Sequence, residues 1–257
     1  MPQNRADVVW NIPDRPEIPG VEHGVLHSVS MDRDIGFNVY MPAGYAQDKR
    51  RYPVVYFLHG AGGTENSDAG GFSGLIQQEI DAKRIPPVLC VFPNGGMSGY
   101  ADRPERKIMG ESLIIKELIP LIDSRYRTIP KREGRAICGF SMGGGGAMRL
   151  SLQHPDMFCA AASWAAALGT FGGAKDPSAM LKENEKRIRG KVRLLLIVGD
   201  KDLTYASHQP FLQTLDSLRL PYNYHKLVGV DHNLGVYYQQ TGQELVKFVT
   251  APLARAK

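Results

Sequence analysis

The 257-residue chain has only three cysteines, Cys90, Cys138 and Cys159, an odd number set in apolar runs such as VLCVF and AICGF. That excludes a disulfide framework or a zinc cage as the organising principle, and the thiols read as core fillers. No apolar stretch approaches the roughly 20 residues of a spanning helix, since charges, glycines or prolines interrupt each one, so no membrane partner is expected. The opening MPQNRADVVW carries no apolar core of a secretory signal, which leaves two compartments open: the cytoplasm, or the exterior for a protein whose signal has been trimmed. Charge of one sign is scarce too. Lys and Arg number 31 against 26 acids. The densest basic groups, Lys49-Arg50-Arg51, Lys131-Arg132 and Lys182 to Arg193, are interleaved with acids or sit beside turns, and read as solvated surface, not a nucleic-acid footprint. Internal repeats and compositionally biased linkers are also missing. With 43% hydrophobic residues the chain can bury one large core, and a single domain over 1–257 is expected.

What is present is alternation. Short apolar runs recur at Phe37 to Tyr40, Val54 to Leu58, Val88 to Phe92, Ala136 to Gly139, Cys159 to Ser163, Leu194 to Val198 and Tyr222 to Leu227. Each has strand length, and their near-continuous apolarity suits strands buried on both faces. Helical spacing fills the gaps: Gly74 to Lys83, Glu111 to Arg125 with an interruption at Pro120, a helix from Ser141 to His154-Pro155, then Pro210 to Leu218 and Tyr238 to Thr250. The pattern predicts an α/β fold with a mostly parallel central sheet flanked by helices. The first 50 residues, with five prolines, read as an antiparallel lead-in to that sheet. Gly169 to Arg189, the longest excursion between strands, is the candidate for a small lid.

Gly139-Phe140-Ser141-Met142-Gly143 follows a strand and precedes a helix. This is G-x-S-x-G in strand-turn-helix context, where a nucleophile on a sharp turn leaves no room for side chains two positions either side. Gly143 to Gly146 then place four glycines at a helix start, at a cost of about 1 kcal/mol each relative to alanine. Close approach of that helix to its strands would offset the cost. A phosphate-binding loop is the competing reading, but neither of its glycine patterns is complete.

A serine hydroxyl needs a base, and the base an orienting acid. Of seven histidines, His232 lies in the loop GVDHNLG between the last strand and the last helix, on the sheet edge that displays Ser141. The acid should end the strand Leu194 to Val198. Asp200 and Asp202 compete there; Asp202, further out, is preferred, with Asp200 as the residue that caps the turn. An oxyanion hole needs two amides: Met142 N–H at a helix N-terminus, and one from His59-Gly60-Ala61-Gly62-Gly63, where Ala61 is preferred and Gly62 is the alternative. His59, in an HG turn, reads as a buttress of that loop. Trp164 and Tyr100 are candidate walls of an apolar acyl pocket, with packing as the competing role. No step of such chemistry needs a metal or an organic cofactor, and none is expected.

These residues together resemble the esterase D branch of the α/β-hydrolases, which includes feruloyl and acetyl-xylan esterases of carbohydrate esterase family 1, S-formylglutathione hydrolases and mycolyltransferases. The carriers are YFLHGAGGTEN from Tyr56, ELIP from Glu117, GFSMGG from Gly139, HPDMF from His154, and finally Asp202 and His232. The resemblance implies an α/β-hydrolase fold with a small lid or none. It also implies a Ser141-Asp202-His232 triad with Ala61 and Met142 amides as oxyanion hole, so Asp202 gains over Asp200. The expected activity is serine carboxylic ester hydrolysis through an acyl-enzyme, on feruloyl, acetyl or other short or aromatic acyl esters of carbohydrates. An S-formylglutathione hydrolase-like thioesterase or an acyltransferase with the same triad is the alternative. HGAGGTEN is more similar to the feruloyl type, because the formylglutathione type tends to show SGLTCT there.

Overall fold

Runs such as VVYFL and RAICGF are apolar on every residue or nearly so, and bury completely as neighbouring strands. The computed structural model describes residues 8–14, 16–170 and 174–255. Eight strands form one sheet in the order β1-β2-β4-β3-β7-β8-β9-β10. β1 (Val21–Ser28) and β2 (Arg33–Tyr40) pair as an antiparallel hairpin, and β2 runs antiparallel to β4 (Leu89–Pro93). From there β3 (Val54–Leu58), β7 (Arg135–Phe140), β8 (Ala160–Trp164), β9 (Arg193–Gly199) and β10 (Asn223–Leu227) are all parallel. This is an α/β-hydrolase arrangement with the expected antiparallel lead-in. A second, two-stranded ribbon pairs β5 (Asp102–Arg103) with β6 (Ile108–Met109).

Two layers of apolar side chains cover the sheet. On one face α1 (Ala69–Asp81) and α7 (Leu234–Thr250) bury Phe72, Ile76, Leu245 and Val249. On the other, α4 (Met142–Gln153), α5 (Pro177–Ile188) and α6 (Tyr205–Ser217) bury Met148, Leu152, Leu181 and Phe211. The run near Pro120 is a composite. α2 (Gly110–Ser112) widens into a π segment over Leu113–Leu118, where Ile119 N–H reaches back to the Ile114 carbonyl, before α3 (Ile119–Arg125) resumes. A proline ring cannot sit in an unbroken i to i−4 ladder, and the widened turn accommodates it.

Three expectations are corrected. Pro210 lies inside α6 instead of opening it, because the turn bonds Tyr205 N–H to Asp202 O and Ser207 N–H to Thr204 O start the helix earlier. The excursion from Gly169 to Arg189 is not a lid where it is described: Met180, Leu181 and Ile188 of α5 are buried against the core, and the helix packs on α4 and α6. Asp176 caps α5 by accepting from Ser178 N–H at 3.0 Å, with Pro177 in the first turn. Residues 171–173 of that excursion lie outside the described residues. α7, in turn, begins one turn earlier than expected, with Asn233 Oδ1 accepting from Gly235 N–H at 3.0 Å.

An N-terminal strap crosses the back of two loops that matter below. Ile12 N–H donates to Glu65 Oε1 at 2.5 Å, Asn66 Nδ2 to Ile12 O at 2.9 Å and Asn94 Nδ2 to Val9 O at 3.0 Å. Gly36 N–H donates to Trp10 O at 2.7 Å, and the Arg33 guanidinium lies 5.6 Å from the Trp10 ring centre.

Candidate functional site

Ser141 sits between β7 and α4 with φ 55° and ψ −115°, a backbone state that costs a non-glycine residue about 1–3 kcal/mol. Three backbone bonds hold it: Ser141 N–H to Trp164 O, and Gly145 N–H and Ala167 N–H to Ser141 O, each 2.9 Å. The glycines flanking it are required by the end of β3. A Cβ on Gly139 would lie 2.5 Å from the Leu58 carbonyl oxygen, and one on Gly143 would collide with the same carbonyl. Gly144 approaches the Trp164 carbonyl, Gly145 the Ala167 carbonyl and Gly146 the Tyr100 ring, so the four-glycine run is spent on close packing around the elbow.

His232 Nε2 stands 2.9 Å from Ser141 Oγ, and Nδ1 stands 2.9 Å from each Asp202 carboxylate oxygen. The Phe140 ring lies beneath the imidazole, centres 4.6 Å apart. Asp202 also accepts from Thr204 N–H (2.8 Å), Thr204 Oγ1 (2.7 Å) and Tyr237 OH (2.8 Å). Burial pushes the Asp202 carboxyl up, but hydrogen bonds from His232, Thr204 and Tyr237 outweigh it and hold the group at about 2. An ionised Asp202 accepts only, so His232 carries its proton on Nδ1 and presents the Nε2 lone pair to Ser141. Asp200, the competing acid, instead accepts from Gly229 N–H at 2.8 Å and ties the loop after β9 to the loop after β10. The other histidines bond elsewhere: His23 to Asn38 and Asn11, His27 to Asp34, His154 to Glu111, His208 to the Ala166 carbonyl, and His225 to Glu244.

The loop after β3 runs against the elbow, since a Cβ on Gly60 would lie 3.5 Å from Ser141 Cβ. Gly62 N–H is engaged by Met97 Sδ at 3.2 Å and Gly63 N–H by Gly60 O at 3.0 Å. Ala61 N–H and Met142 N–H donate to no protein acceptor among the described residues. Two unspent donors thus flank Ser141, one of them at the positive end of α4.

Trp164 and Tyr100 are corrected as pocket walls. Trp164 is fully buried, its Nε1 donating to Thr241 Oγ1 at 2.9 Å and its ring packed on Tyr238 and Phe57. The pleat of β8 turns it to the α1–α7 face, away from Ser141. Tyr100 is buried under the loop after β3, its OH donating to the His59 carbonyl at 3.2 Å, its ring seated on Gly95 and Gly146. Both fill the packing role. Phe140, Thr204, Tyr237 and Met97 went unread, since only spatial contact marks them. Among the described residues no three His, Cys, Asp or Glu side chains converge as a metal site, and no helix is long and apolar enough to cross a membrane.

The family described as "Putative esterase" matches residues 28–251. An esterase of Mycobacterium tuberculosis is 34% identical over 132 residues, which is 50% of this chain and 28% of that protein. An endo-1,4-beta-xylanase/feruloyl esterase of Xylanibacter ruminicola is 33% identical over 188 residues, 64% of this chain and 25% of that protein. The chain therefore spans about a quarter of the length of these curated relatives. A solved ferulic acid esterase superposes with TM-score 0.82 at 25% identity, covering 91% of this chain and 98% of its own. A ferulic acid esterase of Anaeromyces mucronatus, solved with ferulic acid, gives TM-score 0.74 at 19% identity and 95% coverage of both chains, a likeness of fold.

Proposed function

Because the chain belongs to this esterase family of the α/β-hydrolases, we propose that it is a serine carboxylic ester hydrolase working through an acyl-enzyme on Ser141. The observation that carries the reading is the unbroken line of 2.9 Å contacts from Ser141 Oγ through His232 to Asp202, with two unspent amides beside it. His232 Nε2 takes the Ser141 proton as Oγ attacks the ester carbonyl, and the Asp202 carboxylate stabilises the imidazolium that forms. Ala61 and Met142 N–H groups receive the tetrahedral oxyanion. The imidazolium then protonates the departing alkoxide, leaving an ester on Ser141. Water, deprotonated by His232, repeats the sequence and releases the acid. For substrate we propose feruloyl, acetyl or other short or aromatic acyl esters of carbohydrates, supported by the HGAGGTEN loop and by the names of the relatives.

The test is hydrolysis of p-nitrophenyl acetate and methyl ferulate by the wild type and Ser141→Ala. The expected result is cleavage of both by the wild type and a loss of about four orders of magnitude or more in kcat for the variant. A variant with wild-type rates would overturn the mechanism. Transfer of the acyl group to added sugar in preference to water would make the protein an acyltransferase.

A further inference from the structure

His59 closes the loop after β3 and is 2% exposed. Both its ring nitrogens meet backbone groups whose roles are fixed. Gly95 N–H, 2.9 Å from Nε2, can only donate, so Nε2 accepts. The Gly60 carbonyl, 2.7 Å from Nδ1, can only accept, so Nδ1 carries the proton. The ring is thereby set in one neutral tautomer with no lone pair left for proton transfer. Burial also pushes its pKa down to about 4.

The consequence runs through one peptide unit. The Gly60 carbonyl and the Ala61 N–H lie in the same planar trans peptide and point in opposite directions. Whatever fixes the carbonyl fixes the amide. Gly63 N–H also bonds this carbonyl, at 3.0 Å, but it belongs to the same loop and moves with it. The His59 ring ties the peptide to the end of β3 and, through Gly95, to the loop 94–100. The fit is close: a Cβ on Gly63 would lie 3.0 Å from His59 Cβ and Nδ1, and Tyr100 OH holds the His59 carbonyl.

We propose that His59 is the positioning residue of the oxyanion hole, a neutral ring clamped between Gly95 and Gly60 that aims the Ala61 N–H at the oxygen of the tetrahedral intermediate. The proposal rests on Ala61 as an oxyanion donor. Its effect falls on the transition state, so it changes kcat and leaves KM nearly alone.

Three variants separate the two bonds. His59→Asn places an amide donor where Nδ1 stands and gives up Gly95; His59→Gln reaches Gly95 with its carbonyl oxygen and gives up Gly60; His59→Leu gives up both. Each is assayed with p-nitrophenyl acetate, below its own melting temperature. Each is also titrated with an aryl trifluoromethyl ketone, whose carbonyl carbon bonds to Ser141 Oγ while the Oγ proton passes to His232 and the carbonyl oxygen becomes the oxyanion. Removing one oxyanion donor outright costs about 10²–10³ in kcat, so a mis-aimed donor in His59→Gln and His59→Leu is expected to cost about 10- to 100-fold, with KM within about two-fold. Ketone affinity should weaken by a similar factor, and His59→Asn should recover most of both. Equal losses in the Asn and Gln variants, or wild-type kcat in the Gln variant, overturn the proposal. If His59→Leu fails to fold, the Asn and Gln pair still decides. Ala61→Pro, which deletes the amide proton, tells the two failures apart. Unchanged kcat and ketone affinity there remove Ala61 from the hole; a loss there beside a wild-type His59→Gln overturns only the role of His59.

Discussion

Asp202 shows how one buried carboxylate is made ionic. Its four donor groups come from three elements: His232 in the loop after β10, Thr204 at the head of α6, which gives two, and Tyr237 in α7. The sign of its pH effect follows from a folded value of about 2 against the ordinary 3.8. Stability from this group, on the order of 2 kcal/mol, is complete above about pH 4 and is lost as pH falls through 2. The stability difference between wild type and Asp202→Asn, measured by urea unfolding, should therefore narrow from pH 5 to pH 2; a constant difference would contradict it. Near neutral pH the same variant should lose about 10⁴ in kcat, because a neutral amide no longer fixes the His232 tautomer. That Ser141, His232 and Asp202 would meet was legible because each lies in a turn beyond the end of a strand, and turn residues announce themselves locally. Tyr237 was not: a tyrosine on a helix carries no local mark of the carboxylate it will meet. Trp164 was misjudged for a related reason, since proximity to Ser141 in the sheet says nothing until the pleat decides which face the ring takes.

Among elements, α4 and α1 make an instructive pair, both carrying glycine inside a helix. Gly143 faces the Leu58 carbonyl with no room for a methyl group, while Gly74 faces open space. Gly143→Ala should cost about 1–3 kcal/mol or more and abolish most activity, since the backbone that must yield is the one beside Ser141. Gly74→Ala should raise stability by about 0.5–1 kcal/mol with unchanged kcat. Thermal melts and p-nitrophenyl acetate turnover check both; a destabilised Gly74→Ala would sink the comparison. From β2 onward the strands of the main sheet were legible to within a few residues, because most are apolar runs bounded by polar residues; β1, partly exposed along its length, was read only as part of an antiparallel lead-in. Helix starts were less so. α6 is begun by the turn that also positions Asp202, a tertiary requirement that overrides the local signal of Pro210, and the π segment before Pro120 is a geometric repair that spacing alone does not specify.

The molecule as a whole brings together four loops that the sequence keeps far apart, at the carboxyl ends of β3, β7, β9 and β10. Parallel order makes this possible, since every such strand delivers its end to the same edge. Tyr237 joins the pieces again by accepting from Gly199 N–H at 2.8 Å while donating to Asp202. We expect one cooperative unit: activity and far-ultraviolet circular dichroism should be lost together in urea, and an inactive species with a native spectrum would contradict it. The single-domain expectation depends on that experiment.

The N-terminal strap has a spectroscopic consequence. Of the two tryptophans in the chain, Trp10 rides on the strap and Trp164 is sealed in the core beside the elbow. The strap bonds Glu65 and Asn94, one in each of the two loops that His59 joins. Trp10 fluorescence is thus an optical gauge of that seam, read against Trp164 as an internal standard, and it needs no added dye.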